Sequence, residues 1–241
     1  MKFQDIKKLH QKKFRKEYGY FLLEGEHLVQ ELQKAVAHDA RLQASEIYLT
    51  REYEHWPSSL PVHLINARHM TQLSDTRSPQ GIAAVVPLLA APAPQPGERA
   101  VYLHEIQDPG NLGTILRTLA WFGRFRCLLS PDSVDLHNGK VVRASMGAIF
   151  HVPVEIDVPI GVLPARFGRI ASLDLHGRAI AAPEFRDFDC YVYGNEARGL
   201  PREALAQMNA MSFTIAGKQG IESLNVATTV SICQYELTRS S

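Results

Sequence analysis

Apolar positions along this chain fall into two regimes separated by a stretch of prolines. In the first, short apolar runs at residues 20–23, 47–49, 62–65 and 81–86 read as strands. Leu28, Val29 and Leu32 recur at helical spacing and predict a helix over residues 25–36, and residues 4–17 read as a basic helix. This is a small α/β unit. Then Pro87, Pro92, Pro94 and Pro96 stand among alanines and disfavour both helix and central strand, as a semi-rigid linker does. Beyond it, strand signals at residues 101–106, 126–129, 170–173, 190–193 and 212–215 alternate with helix signals at 112–122, 140–150, 202–208 and 223–237. Such alternation implies an α/β fold with a mostly parallel sheet covered by helices on both faces. The expected organisation is one unit over 1–86, a linker over 87–98 and a second unit over 99–241.

Composition narrows the class without naming a function. With 45% hydrophobic and 21% charged residues in 241, the chain reads as an ordinary soluble globular protein. No apolar run approaches the roughly 18 residues of a membrane span. The Lys-rich start lacks a signal peptide's apolar core, so a cytoplasmic protein is expected. Cys127, Cys190 and Cys233 are far apart in apolar runs, which predicts buried thiols and no metal site. The net charge of +1 hides an asymmetry. Residues 1–20 hold seven basic side chains against two acidic ones, a net +5 that leaves −4 for the rest. A basic end on a slightly acidic chain is either a phosphate-binding patch or a solvated helix face.

Three stretches carry candidate chemistry. In the first, Gln107-Asp108-Pro109-Gly110-Asn111-Leu112-Gly113 leads from a strand into a helix. Asn111 is the expected N-cap, Leu112, Ile115, Leu116 and Leu119 form the apolar stripe, Asn111 and Arg117 lie off it, and Gly123 ends the helix. This places polar groups above a strand's carboxyl end, where open α/β sheets bind ligands. In the second, Tyr193-Gly194-Asn195-Glu196-Ala197-Arg198-Gly199-Leu200-Pro201 leaves a strand through two glycines. They permit close approach of a ligand to backbone, and Glu196 can accept a hydrogen bond from a hydroxyl; the same residues are also turn formers. In the third, residues 216–227, a glycine-containing loop precedes Ser223 at an expected N-cap, with Asn225 two residues on. Neither a dinucleotide fingerprint nor a phosphate-cradling glycine loop is present.

Taken together and in this order, the three stretches resemble the signature motifs of the SpoU-TrmH family of RNA ribose 2′-O-methyltransferases, in the SPOUT superfamily. The resemblance covers roughly residues 100–238 and includes the run Val141-Val142-Arg143-Ala144-Ser145-Met146-Gly147-Ala148. Phe21-Leu22-Leu23-Glu24-Gly25 and Ser78-Pro79-Gln80-Gly81-Ile82 resemble the family's small RNA substrate-binding domain, which has a ribosomal-protein-like fold. The resemblance implies a C-terminal trefoil knot, S-adenosyl-L-methionine as cofactor, no metal, and a homodimer in which both subunits build each site. Carried over by position, Asn111, Arg117, Glu196, Ser223 and Asn225 are the catalytic candidates. Leu173, Gly194, Asn195, Ile215, Gly220 and Leu224 are the cofactor-lining candidates. Ala197, where many relatives have Gly, and Val226-Ala227-Thr228-Thr229, where Val-Ser-Val-Ala is usual, depart from the pattern beside the polar residues.

Methyl transfer to a ribose hydroxyl is an in-line displacement, so positioning carries much of the work. Glu196 and Arg117 are the candidates for handling the hydroxyl proton. A guanidinium with a pKa above about 12 is an awkward base, so the role expected of Arg117 is to engage the substrate phosphate and hydroxyl, with or without carrying the proton. RNA is the expected partner, ribosomal RNA ahead of transfer RNA. A non-catalytic RNA-binding or ribosome-assembly factor on the same scaffold is the competing class, and the presence of all five polar residues speaks against it.

Overall fold

The computed structural model describes residues 1–195, 197–217 and 223–239. It divides into two compact units: Met1–Ala90 with Asp135–His151, and Ala91–Val134 with Val152 onward.

The first unit is a four-stranded sheet. β1 (Tyr20–Glu24), β2 (Glu46–Leu49), β3 (Val62–Leu64) and β4 (Ile82–Pro87) lie in the order β1-β4-β2-β3, with only the β2–β3 pair parallel. Alternation along the strands divides its side chains between two cores. Phe21, Leu23, Ile47, Leu49, Ile82 and Ala84 point to one face, where Leu28, Val29 and Leu32 of the helix Glu26–Val36 meet them. Leu22, Tyr48 and Val85 point to the other, covered by Ile6, Leu9 and Leu73. Val142, from the helix Gly139–Ser145, is buried in the first of these cores, so residues far along the chain complete this unit.

The predicted basic helix is not continuous. It runs as a helical turn Phe3–Ile6, a 3₁₀ turn Lys7–His10, extended Gln11 and a helix Lys12–Tyr18. Phe3, Ile6 and Leu9, three residues apart, suit 3₁₀ geometry better than α. Arg15, counted in the basic patch by sequence, is turned inward. It donates to the Leu9 carbonyl at 2.6 Å and pairs with Asp135. Lys2, Lys12 and Lys13 remain exposed on the surface.

The second unit is a six-stranded sheet in which every pair is parallel. β5 (Arg99–Leu103), β6 (Phe125–Leu129), β7 (Val154–Glu155), β8 (Ile170–Ala179), β9 (Cys190–Tyr193) and β10 (Met211–Thr214) lie in the order β10-β8-β9-β5-β6-β7. Helices cover both faces, as the alternation implied. Ala100, Tyr102, Leu128, Cys190 and Val192 pack with Leu163 and Met208 on one side. Val101, Leu103, Cys127 and Tyr191 occupy the opposite strand positions and are equally buried. The helices Pro109–Phe122 and Val226–Thr238 pack together. All three cysteines are buried, and burial pushes the Cys127 and Cys233 thiols up to about 12. Among the described residues no helix is long and apolar enough to cross a membrane.

Two features of this sheet shape the site. From β5 the chain first builds outward through β6 and β7, then returns to add β8 to β10 on the opposite side; that switch leaves a crevice at the strand carboxyl ends. Further, β10 pairs Ser212 with Ser172 but the next residue, Phe213, with Arg178. Residues 173–177 are therefore pushed out of the ladder at the sheet's end. Gly177 closes the excursion against β10, where a Cβ would lie 2.5 Å from the Ser212 carbonyl oxygen.

Candidate cofactor and active site

Where β8, β9 and β10 end, the chain borders a half-open cavity of about 540 Å³. Its walls are the 173–175 excursion, Tyr193 to Asn195 and Ala197 to Leu200 after β9, Thr214 and Ile215 after β10, and Ser223 to Val226 with Thr229 at the start of the last helix. Of the cofactor-lining candidates, Leu173, Gly194, Asn195, Ile215 and Leu224 all face it. Gly220 lies outside the described residues.

The loop after β9 is held by its own chemistry. Asn195 and Gly199 exchange backbone hydrogen bonds at 3.0 and 2.9 Å. The Asn195 side chain accepts from the N–H groups of Ala197 and Arg198, both at 2.9 Å, and donates to the Glu105 carbonyl at 2.7 Å. Asn195 is thus both a wall of the cavity and the pin that fastens the loop to the end of β5. At the rim, Arg198 pairs with the Glu105 carboxylate at 2.8 Å. Beside them, burial foremost, with Arg198 adding to it, holds the His104 imidazole below its usual pKa against the opposing pull of Glu105.

The two helices over the crevice are stapled at two levels. Asn225 Nδ2 donates to Asn111 Oδ1 at 2.9 Å, and the Thr118 and Ser231 hydroxyls share a hydrogen bond at 2.9 Å. Both contacts advance in the same chain direction, so the helices run parallel and present their N-termini together at the carboxyl end of the sheet. The expected caps shift. Asp108, not Asn111, caps the first helix by accepting from the Asn111 N–H at 2.7 Å, with Pro109 at its first position. Asn225, not Ser223, caps the last, accepting from the Ala227 and Thr228 N–H groups. Freed from capping, the Asn111 side chain meets Asn225, and Ser223 faces the cavity.

Asn111, Ser223 and Asn225 are therefore brought to one place. Arg117 is not: it sits on the exposed side of the Pro109–Phe122 helix, away from the cavity lining of its own chain, with no ion pair to another described residue. Glu196 lies outside the described residues. Sequence reasoning missed Leu175, exposed on the excursion, and the rim pair Glu105–Arg198. Leu175 became a wall through a break in strand register that no local pattern signals. Glu105 takes a left-handed φ of +49° at the strand end, a position where Gly or Asn would have been the readable sign.

An α/β sheet with a switch-point cavity built from backbone, glycine and exposed leucines, and with paired amides beside it, defines a class that binds a small ligand of mixed polar and apolar character at its strand ends. Comparison with known proteins specifies the family. The SpoU rRNA methylase family model matches residues 98–235, and a model described as an MRM3-like substrate-binding domain matches residues 1–84. The chain belongs to the SpoU rRNA methylase family. It is 31% identical, over 98% of its length and 95% of the relative's, to the 23S rRNA (guanosine(2553)-2′-O)-methyltransferase RlmP of Bacillus subtilis. Its fold is similar to a TrmH-family protein from Porphyromonas gingivalis, with TM-score 0.85, 29% identity and coverage of 99% and 97% of the two chains. It is also similar to an AdoMet-bound rRNA methyltransferase from Sinorhizobium meliloti, with TM-score 0.82, 26% identity and coverage of 99% and 94%.

The chain is accordingly an S-adenosylmethionine-dependent RNA methyltransferase. Its own residues fit that cofactor. The cavity has the size of a small-ligand site, about 300–1,000 Å³ in general. Leu175 and Leu224 expose apolar surface at the cavity, and Gly194 and Asn195 bring main chain and an amide to its wall, a mixture that suits such a cofactor.

Proposed function

We propose that this chain methylates a ribose 2′-hydroxyl in ribosomal RNA, acting as a cytoplasmic homodimer. The observation that carries the reading is the Asn111–Asn225 hydrogen bond, which ties the first motif to the third at the cavity mouth. S-adenosylmethionine supplies an electrophilic methyl group. Within this chain, Leu173, Gly194, Ile215 and Leu224 bind the cofactor, Asn195 keeps their loop in place, and Asn111, Ser223 and Asn225 orient what enters the cavity mouth. Arg117 engages the RNA phosphate and the reacting hydroxyl, with Glu196 orienting it. Arg117 faces away from the cavity of its own chain, which supports a site completed across two subunits. Exposed Trp121 and Tyr235, on the two stapled helices, offer the apolar surface such a contact needs. A C-terminal trefoil knot belongs to the same reading. It is supported by the path from β10 at the sheet edge back to a helix that packs on the one following β5.

The first unit, with Lys2, Lys12 and Lys13 exposed and Lys7 and Lys8 against the rings of Phe3 and Phe14, supplies RNA affinity. Deleting residues 1–86 is a poor test of this, since it would strip the core that buries Val142. Replacing Lys2, Lys12 and Lys13 by Gln in the full chain avoids the problem. Each lost phosphate contact should flatten the plot of log affinity against log salt by about 0.7–0.9. The function itself is tested by incubating the protein and S-adenosylmethionine with unmodified ribosomal or transfer RNA, then analysing nucleosides by mass spectrometry. A 2′-O-methyl nucleoside gained in ribosomal RNA is expected. A gain only in transfer RNA moves the substrate. No gain in either, with cofactor bound, refutes the proposal.

A further inference from the structure

The helix Ala67–Leu73 serves two surfaces of the first unit. On one, the His69 ring lies 4.5 Å from that of Phe3, and Lys7 Nζ donates to Gln72 Oε1 at 3.3 Å, so the helix continues the basic N-terminal face. On the other, Met70 and Ser74 line a half-open cavity of about 190 Å³. Met70, Pro79 and Ile82 give it apolar walls; Glu24, Thr76, Ser78, Gln80 and Arg143 give it polar ones.

The polar groups are unequally satisfied. The Glu24 carboxylate accepts from the Ser74 hydroxyl and from the Asp75 N–H at 3.0 Å. Arg143 Nη1 stands 3.7 Å from Glu24 Oε1 and Nη2 stands 4.0 Å from Asp75 Oδ2, within reach of attraction but beyond hydrogen bonding. Nη1 is nevertheless buried, without an acceptor among the described residues. A buried charged N–H in this condition is costly, and it marks a guanidinium not fully satisfied by its own unit. Two carboxylates flank one guanidinium here, a balance that disfavours an anion and favours a neutral ligand with an acceptor on its edge. The volume is the share of roughly six water molecules at about 30 Å³ each, enough for one flat heterocycle.

The geometry points to this cavity as the seat of one unstacked nucleobase of the RNA substrate. The ring lies against Met70, Pro79 and Ile82, and a carbonyl or ring-nitrogen acceptor on its edge accepts a hydrogen bond from the Arg143 guanidinium. Exposed Arg77, on the loop that carries Thr76 and Ser78, is placed to meet the adjoining phosphate. Single-stranded RNA is commonly read in this way, one splayed base at a time. The inference rests on the RNA-methyltransferase reading and gives the first unit a role beyond charge: choosing the loop to be modified.

The test binds the full-length protein to ribosomal RNA transcripts carrying 4-thiouridine or 6-thioguanosine, irradiates, and maps the cross-linked peptides. Cross-links at Met70 or Pro79 are expected. Two variants address the site differently. Ser78→Phe fills the cavity from its exposed rim without touching the Glu24 network, and Arg143→Met removes the donor while keeping the stem. Each should weaken RNA binding roughly 5- to 50-fold and remove the cross-link with S-adenosylmethionine affinity retained, and Ser78→Phe should also keep the melting temperature. Cross-links confined to other surfaces, or RNA affinity unchanged in both variants, would overturn the base seat. Cross-linking at the cavity without methyl transfer by the wild type would overturn the enzymatic reading and leave the seat standing.

Discussion

Gly194 is the position where one added methyl group should most disturb cofactor binding. A Cβ there would lie 2.5 Å from the Gly199 carbonyl carbon, 2.8 Å from its oxygen and 2.9 Å from its Cα. Ordinary contact begins near 3.4 Å, so the two sides of the loop must part by about 0.9 Å. They are joined by the Asn195–Gly199 pair of backbone hydrogen bonds, at 3.0 and 2.9 Å. Opening by that amount carries both out of hydrogen-bonding range. At about 0.5–1.5 kcal/mol net for each bond, the cost is about 1–3 kcal/mol, a factor of roughly 5 to 150 in an equilibrium constant. The Asn195 side chain still fastens the loop to Glu105, so the distortion is absorbed at the cavity wall and not in the sheet.

Gly194→Ala should therefore lower the unfolding free energy in urea by about 1–3 kcal/mol and, by displacing the cavity wall, raise the S-adenosylmethionine dissociation constant in calorimetric titration. Gly199→Ala is the control. Its φ of +69° strains an alanine, but no atom of the described residues lies within 4 Å of the added carbon, so a cost of about 1–2 kcal/mol without a clash is expected. If Gly194→Ala binds the cofactor within threefold of wild type, the close-approach argument fails. If Gly199→Ala is the more damaging of the two, backbone conformation and not contact governs the loop.

Three further outcomes follow from the geometry. Arg117→Ala, at an exposed site, should leave the melting temperature and cofactor affinity unchanged while abolishing turnover in the methylation assay; loss of cofactor binding as well would contradict its assigned role. Arg15→Met strips the partner from Asp135 and should cost the first unit about 3–5 kcal/mol in urea unfolding, and a loss below about 1 kcal/mol would show the pair to be dispensable. Burial, against the opposing attraction of Asp135, pushes His137 down to about 4, so the folded state resists its protonation. Its contribution is complete above the unfolded value of about 6.5 and is lost as pH falls from there toward 4. The urea midpoint should decline over that window, and His137→Phe should flatten the decline.

How much was legible in the sequence depended on whether the determinant was local. The alternating strands and helices of the second unit were readable because each strand is a continuous buried run and each helix carries its stripe, as with Val101 to Leu103 and Leu112 to Leu119. The caps were misassigned for a physical reason. Asp108 and Asn111 are both good caps, and Pro109 decides between them, since its fixed φ and missing N–H suit the first helical position and place the cap one residue earlier. Ser223 and Asn225 are a similar pair, and Asn225 can both accept from its helix and donate to Asn111, which a serine hydroxyl could not do with the same reach. The errors were useful: each displaced residue, Asn111 and Ser223, has a side chain left for the site. What could not be read was set by partners far along the chain. Arg15 looked like surface charge until Asp135, 120 residues away, met it, and Arg143 belongs to the first unit through contacts with Glu24 and Asp75. Motif resemblance identified the run around Arg143 without saying which unit it serves. Its packing beside Glu24 and Gln80 joins that run to the other two stretches, at Phe21 and Ser78, that marked the first unit as a substrate-binding domain. Three segments separated in sequence thus converge on one small cavity within the first unit, and that convergence is the reason to look for substrate choice there.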